Sequence, residues 1–407
     1  MCYRGNRLFK SIKKTDIALI ALIALIIVII GLVAHFTLIA RNQFFQFIYP
    51  IEAIVSKNSI NCSTDSPAWM RESIVFSVND NGSLANQLVY ISPEGKTYHC
   101  ESGWKNYPLF SSHIDENTRY RYASLTKPIT ASLVLNLITD QKLKLDDPLV
   151  KYLPELDHYS DKRIKDITIE NLLTHTSGFD RLKSNDPLFN TYEKPWCPYN
   201  LKKMQSLKLD HQPGQMYSYD NRNYCLLSIV VERVTGNPFR PVLNQKMNLE
   251  NYNIQFINGP FSVDEVKYDF RYESIFTDGY TAMFDFNALS PVAGLSGSAE
   301  SYAKLLNQLL RDKQSILSPS SINTGCKVNE IKSCFSLGLS RYKKNDHSIE
   351  VKWHDGSLPG ANSLMIRDEK GGITVWTGNG SAPENTQQYA FFKYVYDQLN
   401  LFYKSDN

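Results

Sequence analysis

The chain has 407 residues, of which 43% are hydrophobic and 21% charged, with 44 Lys and Arg against 41 Asp and Glu. That balance suits an enzyme-sized core and argues against intrinsic disorder. It also excludes a polyanion-binding surface. Arg4, Arg7, Lys10, Lys13 and Lys14 less Asp16 give residues 1–16 a net charge of +4, and since the whole chain is +3 the remaining 391 residues sum to −1. No concentrated basic face is left for nucleic acid.

Residues 17–34, IALIALIALIIVIIGLVA, are 18 apolar or small residues without a charge, and the run continues past His35 to Ala40. A stretch of that length spans a bilayer. No small-x-small cleavage site follows in TLIARNQ, so an uncleaved anchor over residues 17–40 is expected. The positive-inside rule then makes residues 1–16 a basic cytoplasmic tail and places everything after Arg41 outside the inner or plasma membrane. Residues 41–71 read as a polar, irregular spacer before a domain over 72–402. In that domain SIVFSV, NDNGS and NQLVYIS read as a β-hairpin, with Asn81-Gly82 supplying the positive φ angles of a tight turn.

The middle of the chain reads as helical. Residues 124–140 form one helix, DITIENLLTHTSGF a short one ending at Gly178, and NYCLLSIVVERVTG one stopped by Gly236 and Pro238. GSAESYAKLLNQLLRD is amphipathic, with Ser298 as its N-cap. EVKWHDGS, NSLMIR and GITVWTG read as strands, and a final apolar helix covers roughly 385–402. Strands at both ends around a helical middle predict an α+β fold: an antiparallel sheet built from N- and C-terminal strands, flanked by helices, with a mainly helical region inserted.

Cys2 falls on the cytoplasmic side, and Cys62, Cys100, Cys197, Cys225, Cys326 and Cys334 fall outside, where disulfides form. Cys326 with Cys334 would close a small loop and Cys62 with Cys100 would brace the entry to the domain. Six cysteines allow fifteen pairings. Cys225, in its apolar run, is expected as a buried free thiol. No spacing suggests zinc, and no metal or organic cofactor is expected.

The chemistry starts from RYASLTKPITASLVL, residues 121–135, where a serine precedes a lysine by three residues at the start of a helix. Ser-x-x-Lys occurs five times in the chain, beginning at Ser11, Ser102, Ser124, Ser301 and Ser340, so the pattern alone does not separate a nucleophile from a helix cap. A serine nucleophile requires a base within hydrogen-bond reach and donors for the oxyanion. Ser124 at a helix start lies where backbone N–H groups are unpaired and the dipole favours negative charge, with Lys127 one turn on along the same face.

SLTK followed by PITASLVLNLITDQKLKLDDPLVKYLPEL resembles the first motif region of the serine β-lactamase-related and penicillin-binding-protein family, in the branch of class C β-lactamases, DD-peptidases and esterases. LLTHTSGF at 172–179 is similar to a segment common in that branch, PGQMYSYDNRNYCLLSIVVERVTG resembles its Tyr-x-Asn region, and WHDGSLPGANS resembles its third motif in a His-x-Gly form. Tyr-x-Asn and His-x-Gly each occur once, in the family's order, and the likeness covers roughly residues 72–400. It implies a β-lactamase/transpeptidase-like fold, with Ser124 acylated, Lys127 helping to deprotonate it, and Tyr219 as general base or acid. Asn221 would bond the substrate carbonyl or the lysine, and the N–H groups of Ser124 and Ser357 would form the oxyanion hole beside His354 and Gly356. Lys-Thr-Gly is absent; His354 replaces its permanent cation with a group mostly neutral above pH ~6.5. Asp355 departs from the small or hydroxyl residue more usual there, and strand alternation points it away from His354 and Gly356. His175 is expected to be structural, Asp220 to lie outside the site, and Trp353 and Tyr217 to be core or substrate-lining.

The resemblance implies a membrane-anchored, extracytoplasmic serine hydrolase acting through an acyl-enzyme on an amide or ester: a peptidoglycan stem peptide, a β-lactam or a small carboxyl ester. The alternative is a ligand-binding or penicillin-sensing module at the membrane that does not turn over.

Overall fold

The structure, a computed structural model, describes residues 14–38, 41–156, 158–189, 194–259, 261–273, 283–310, 315–323, 325–383 and 389–405. The chain divides into two compact units, residues 1–50 and 51–407. In the first, α1 (Lys14–Leu38) carries the apolar run. Its side chains are described without a break over residues 17–32, and among the described residues no helix is long and apolar enough to cross a membrane. Arg4, Arg7, Lys10, Lys13, Cys2 and residues 39–40 of the expected anchor lie outside the described residues.

The expected spacer, 41–71, is mostly ordered secondary structure. It holds α2 (Arg41–Asn58, with Pro50 inside), β1 (Asn61–Cys62) and the first turn of α3 (Ala68–Asp80). Tertiary partners that composition does not reveal hold it in place: Glu52 pairs with Arg271 at 2.7 Å, the Ser56 hydroxyl donates to the Leu84 carbonyl at 2.6 Å, and Cys62 is disulfide-bonded to Cys100. The expected hairpin is also corrected, because residues 73–78 lie within α3. Trp69, Met70, Ser73, Ile74, Ser77 and Val78 are its buried residues, a stripe with the spacing of a helix face, although Ile, Val and Phe favour strands. Gly82, at φ +66°, then turns the chain where an added Cβ would strike the Ser381 carbonyl oxygen.

One sheet unites the two ends of the chain. Its order is β1, β3 (Thr97–Ser102), β2 (Asn86–Ile91), β11 (Ile373–Gly378), β10 (Ala361–Asp368), β9 (Val351–Leu358), β8 (Ser340–Tyr342) and β7 (Cys334–Phe335). N-terminal β2 pairs antiparallel with C-terminal β11, Leu88 opposite Trp376. α3 and the C-terminal helix α11 (Ala390–Ser405) cover one face, where Trp353 stacks on Phe392 at 3.8 Å and Trp376 meets Phe391 at 4.4 Å. Trp353 is therefore core. Residues 385–388 of the expected last helix lie outside the described residues.

The inserted region is helical, as expected: α4 (Thr126–Thr139), α5 (Ile169–Leu173), α6 (Trp196–Tyr199), α7 (Asn221–Thr235), α8 (Phe239–Met247), α9 (Ser290–Ala293) and α10 (Ala299–Leu309). α7 is capped by the Asp220 carboxylate and ends on Gly236 at φ +70°, and Ser298 caps α10 by accepting from the Ser301 N–H. Cys225 is not a free thiol: it bonds Cys197, a cysteine 28 residues away in sequence that only tertiary folding brings near. Cys62–Cys100 and Cys326–Cys334 form as expected.

Candidate active site

Ser124 sits in a 3-10 turn, Ala123–Leu125, between a small sheet and α4. Strand β4 (Tyr120–Arg121) leads into it, paired with β6 (Leu295–Gly297), whose other neighbour is β5 (Gln255–Phe256). The turn is clamped from several directions. The Tyr122 N–H donates to the Leu295 carbonyl at 2.9 Å, the Tyr122 hydroxyl to the Ser298 carbonyl at 2.7 Å, and the Ser363 hydroxyl of β10 to the Tyr122 carbonyl at 2.7 Å. These bonds hold Ala123 at φ +49°, a left-handed conformation costing a non-glycine residue about 1–3 kcal/mol.

Lys127 follows one turn along α4 and is fully buried. Its Nζ lies 3.1 Å from Ser124 Oγ and donates to the Val292 carbonyl of α9 at 3.2 Å. Burial drives its pKa well below the ordinary lysine value; the Asp186 carboxylate works against that shift, and Arg181 and Lys332 add to it. Tyr219 stands just before α7, and the Lys127 Nζ is 4.9 Å from its ring centre. Burial raises the pKa of this phenol, only partly offset by the nearby Ser124 hydroxyl.

His175 supports Tyr219 from behind. It stands in the left-handed region at φ +55°, its ring centre 4.5 Å from that of Tyr219. Its Nδ1 accepts from the Asp220 N–H at 3.2 Å and the Asn223 amide at 3.0 Å, and burial keeps the ring neutral, well below the usual histidine pKa. Tyr217 packs near Phe335 with ring centres 5.5 Å apart. Asp220 is occupied by Arg222 at 2.6 Å and caps α7, consistent with a place outside the site.

Asn221 opens α7. Its Nδ2 donates to Asp186 at 2.7 Å, while its buried Oδ1 has no partner among the described residues. Asp186, half-buried, has a raised carboxyl pKa, first because of desolvation and then because of the nearby Asp220 charge.

β9 brings the third motif to the same place. Gly356 lies so close to the turn that an added Cβ would stand 2.5 Å from the Tyr122 carbonyl oxygen and 3.0 Å from the Ser124 nitrogen, so only glycine fits. His354, two residues earlier on the same face, has its ring centre 6.0 Å from that of Tyr219. Its Nδ1–H donates to the Asp355 carbonyl at 2.6 Å, leaving a buried Nε2 with no partner among the described residues. Burial pushes its pKa down to about 3, against the pull of Asp355 and with a push from Lys127 and Lys332. Asp355 alternates to the other side, where it pairs with Lys332 at 2.7 Å. Ser357 is exposed, one residue past Gly356.

Of the seven residues singled out in the sequence, Lys127 contacts the Ser124 hydroxyl and Gly356 abuts its backbone, Tyr219 lies beside Lys127, and His354 lies against Tyr219, while Asn221 is held by Asp186 and Ser357 is exposed. Arg181, Lys332, Asp186 and the positioning role of His175 were missed. Arg181 and Lys332 reach Tyr219 from loops, 4.9 and 5.6 Å from its ring centre, and no periodicity marks them. Among the described residues no group of three or more His, Cys, Asp or Glu side chains is arranged to hold a metal ion.

Comparison with known proteins bears on the family and the fold. The sequence profile of the family described as Beta-lactamase matches residues 88–390. A protein of Dichelobacter nodosus named "Probable fimbrial assembly protein FimD, serogroup H1" is 35% identical over 359 residues, covering 88% of this chain and 90% of that one. Among solved structures, D-amino acid amidase from Ochrobactrum anthropi, complexed with L-phenylalanine amide, aligns with a TM-score of 0.64 at 19% identity over 83% of this chain and 97% of its own. A Beta-lactamase/D-alanine Carboxypeptidase from Yersinia pestis aligns with a TM-score of 0.63 at 20% identity over 82% of this chain and 95% of its own.

Proposed function

The chain belongs to the beta-lactamase family of serine hydrolases, and from that premise we propose that it works through an acyl-enzyme on Ser124, cleaving an amide or ester of a peptide-like substrate. The observation that carries the proposal is the contact of 3.1 Å between a fully buried Lys127 amine and the Ser124 hydroxyl. Burial disfavours charge on both flanking groups, lowering the lysine pKa and raising that of the phenol, and this direction supports Lys127 as the base in the proposed mechanism.

In acylation the Ser124 proton passes to Lys127 Nζ as Oγ bonds to the substrate carbonyl carbon. The oxyanion is held by the Ser124 and Ser357 N–H groups. Tyr219 then gives its proton to the leaving nitrogen or oxygen, the lysine ammonium restores the phenol, and the C–N or C–O bond breaks. Water repeats the cycle in deacylation, with Lys127 taking its proton. Asn221, whose donor side is held by Asp186, offers its Oδ1 to the lysine or to a substrate N–H.

The three disulfides suggest an oxidising, extracytoplasmic location for residues 51–407. Residues 17–40 would tether the unit to the membrane, the cation-rich segment before them facing the cytoplasm. The test is turnover by the purified full-length protein of three compounds: a chromogenic cephalosporin, a nitrophenyl ester and an acyl peptide ending in two D-alanines. Steady hydrolysis of one or more, lost in Ser124→Ala, supports the reading; a single burst with no turnover on all three would instead identify a binding module.

A further inference from the structure

The helix α2 has two faces of opposite character. Over residues 51–58 one face is fixed to the catalytic unit: Ala53 and Ser56 are buried, Glu52 pairs with Arg271 at 2.7 Å, and the Ser56 hydroxyl donates to the Leu84 carbonyl at 2.6 Å. The other face is apolar and open. Phe47 is 82% exposed, Ile51 66% and Ile54 57%, with the exposed Pro50 between them. Positions 47, 50, 51 and 54 follow the i, i+3, i+4, i+7 spacing of one helix face, so their side chains form a continuous strip. A helix packed on a water-soluble unit turns its large apolar residues inward. Here an alanine, a serine and a glutamate face the unit, and Ile51 and Ile54 face away from it.

The place of the strip in the chain decides what covers it. The apolar run that begins at residue 17 continues to Ala40, and Phe47 comes only seven residues later. We propose that the strip is a lipid contact, seated at the boundary of headgroups and acyl chains in the same bilayer that residues 17–40 enter, and that it holds the catalytic unit against the extracytoplasmic surface of that membrane. The inference rests on the anchor reading and is independent of the acyl-transfer chemistry.

An interfacial helix buries its apolar face about 5–10 Å into that boundary, a depth that side chains on one face reach while the opposite face stays in contact with protein. Four apolar residues alone would bind a membrane weakly. The anchor changes this, because it makes the second contact intramolecular, and a short strip then suffices. A second copy of the chain fits the strip less well: a stable protein interface takes roughly 800 Å² and some 20–30 residues from each partner, and this face offers four side chains. Because Glu52 and Ser56 tie the back of the same helical turns to Arg271 and Leu84, lipid contact at the front fixes the orientation of the catalytic unit as well as its distance from the membrane.

Photo-crosslinking of the full-length protein in vesicles of phosphatidylcholine and phosphatidylglycerol tests the contact. Benzoylphenylalanine replaces Phe47, Ile54 or, for comparison, Leu182, which is 89% exposed elsewhere on the catalytic unit. All three native side chains are exposed, so the probe removes no core contact. After irradiation, peptide mass spectrometry is expected to find lipid adducts at positions 47 and 54 at least about tenfold more abundant than at 182. A crosslinked dimer in place of the lipid adducts, equal adducts at all three positions, or none at 47 and 54 would overturn the assignment. Alkaline carbonate extraction reports separately on the anchor. Protein that stays in the membrane without lipid adducts at 47 and 54 refutes this contact alone; protein that is extracted refutes the anchor and the contact together.

Discussion

Gly356→Ala tests whether the third motif is a spacing device for the nucleophile. A methyl group there would stand 2.5 Å from the Tyr122 carbonyl oxygen, 3.0 Å from the Ser124 nitrogen and 2.3 Å from Ser363 Oγ. The Ser363 hydroxyl can rotate away, but the carbonyl oxygen belongs to the clamped backbone and cannot. Ordinary carbon–oxygen contact begins near about 3.3–3.5 Å, so β9 has to retreat by roughly 1 Å from the turn that carries Ser124. Overpacking of this kind costs about 1–3 kcal/mol of stability. A retreat of that size also carries the Ser357 N–H, one residue on, out of reach of the oxyanion. Losing one such donor costs about 10²–10³ in kcat. Steady-state ester hydrolysis together with a urea melt reads both quantities. Turnover within threefold of wild type would refute the claim that Gly356 sets the distance between the strand and the nucleophile.

The pH dependence should come from Lys127 and not from His354. The working amine is neutral; since its folded pKa lies below the ordinary lysine value, activity is present above that lowered pKa and lost as pH falls through it. With His354 held at about 3, His354→Asn should leave the shape of the pH profile between pH 5 and 8 unchanged, and an inflection there that vanishes in the variant would contradict the assignment. Lys127→Arg, which cannot lose its proton, should lower kcat by about 10²–10⁴ at neutral pH, read on the fraction that remains folded. Replacing both Cys197 and Cys225 by alanine opens a cross-link between positions 28 apart and should cost roughly 3–4 kcal/mol by chain entropy; a loss under about 1 kcal/mol in urea unfolding would show that the helical region does not depend on it.

The site was legible where chemistry imposes residue types in order. Ser124, Lys127, Tyr219, Asn221, His354, Gly356 and Ser357 lie on three distant stretches, and each stretch begins or crosses a regular element whose caps and alternation can be read locally. The sheet built from both termini was legible for the same reason. The helix α3 was not, because Ile, Val and Phe in SIVFSV carry strand propensity while the burial stripe that makes it helical depends on packing against α11. The helical part of 41–71 and the Cys197–Cys225 bond were hidden because long-range partners, Arg271, Leu84 and Cys100 for one and tertiary proximity for the other, decide them. Arg181 and Lys332 reach the site from loops, where no period exists to be read.

The most direct measurement is fluorophosphonate labelling of the full-length protein followed by peptide mass spectrometry. One adduct on Ser124, absent from Ser124→Ala and much slower to form in Lys127→Arg, is the expected result. An adduct on another serine, or equal labelling of wild type and Ser124→Ala, would contradict the claim that the buried amine activates this hydroxyl.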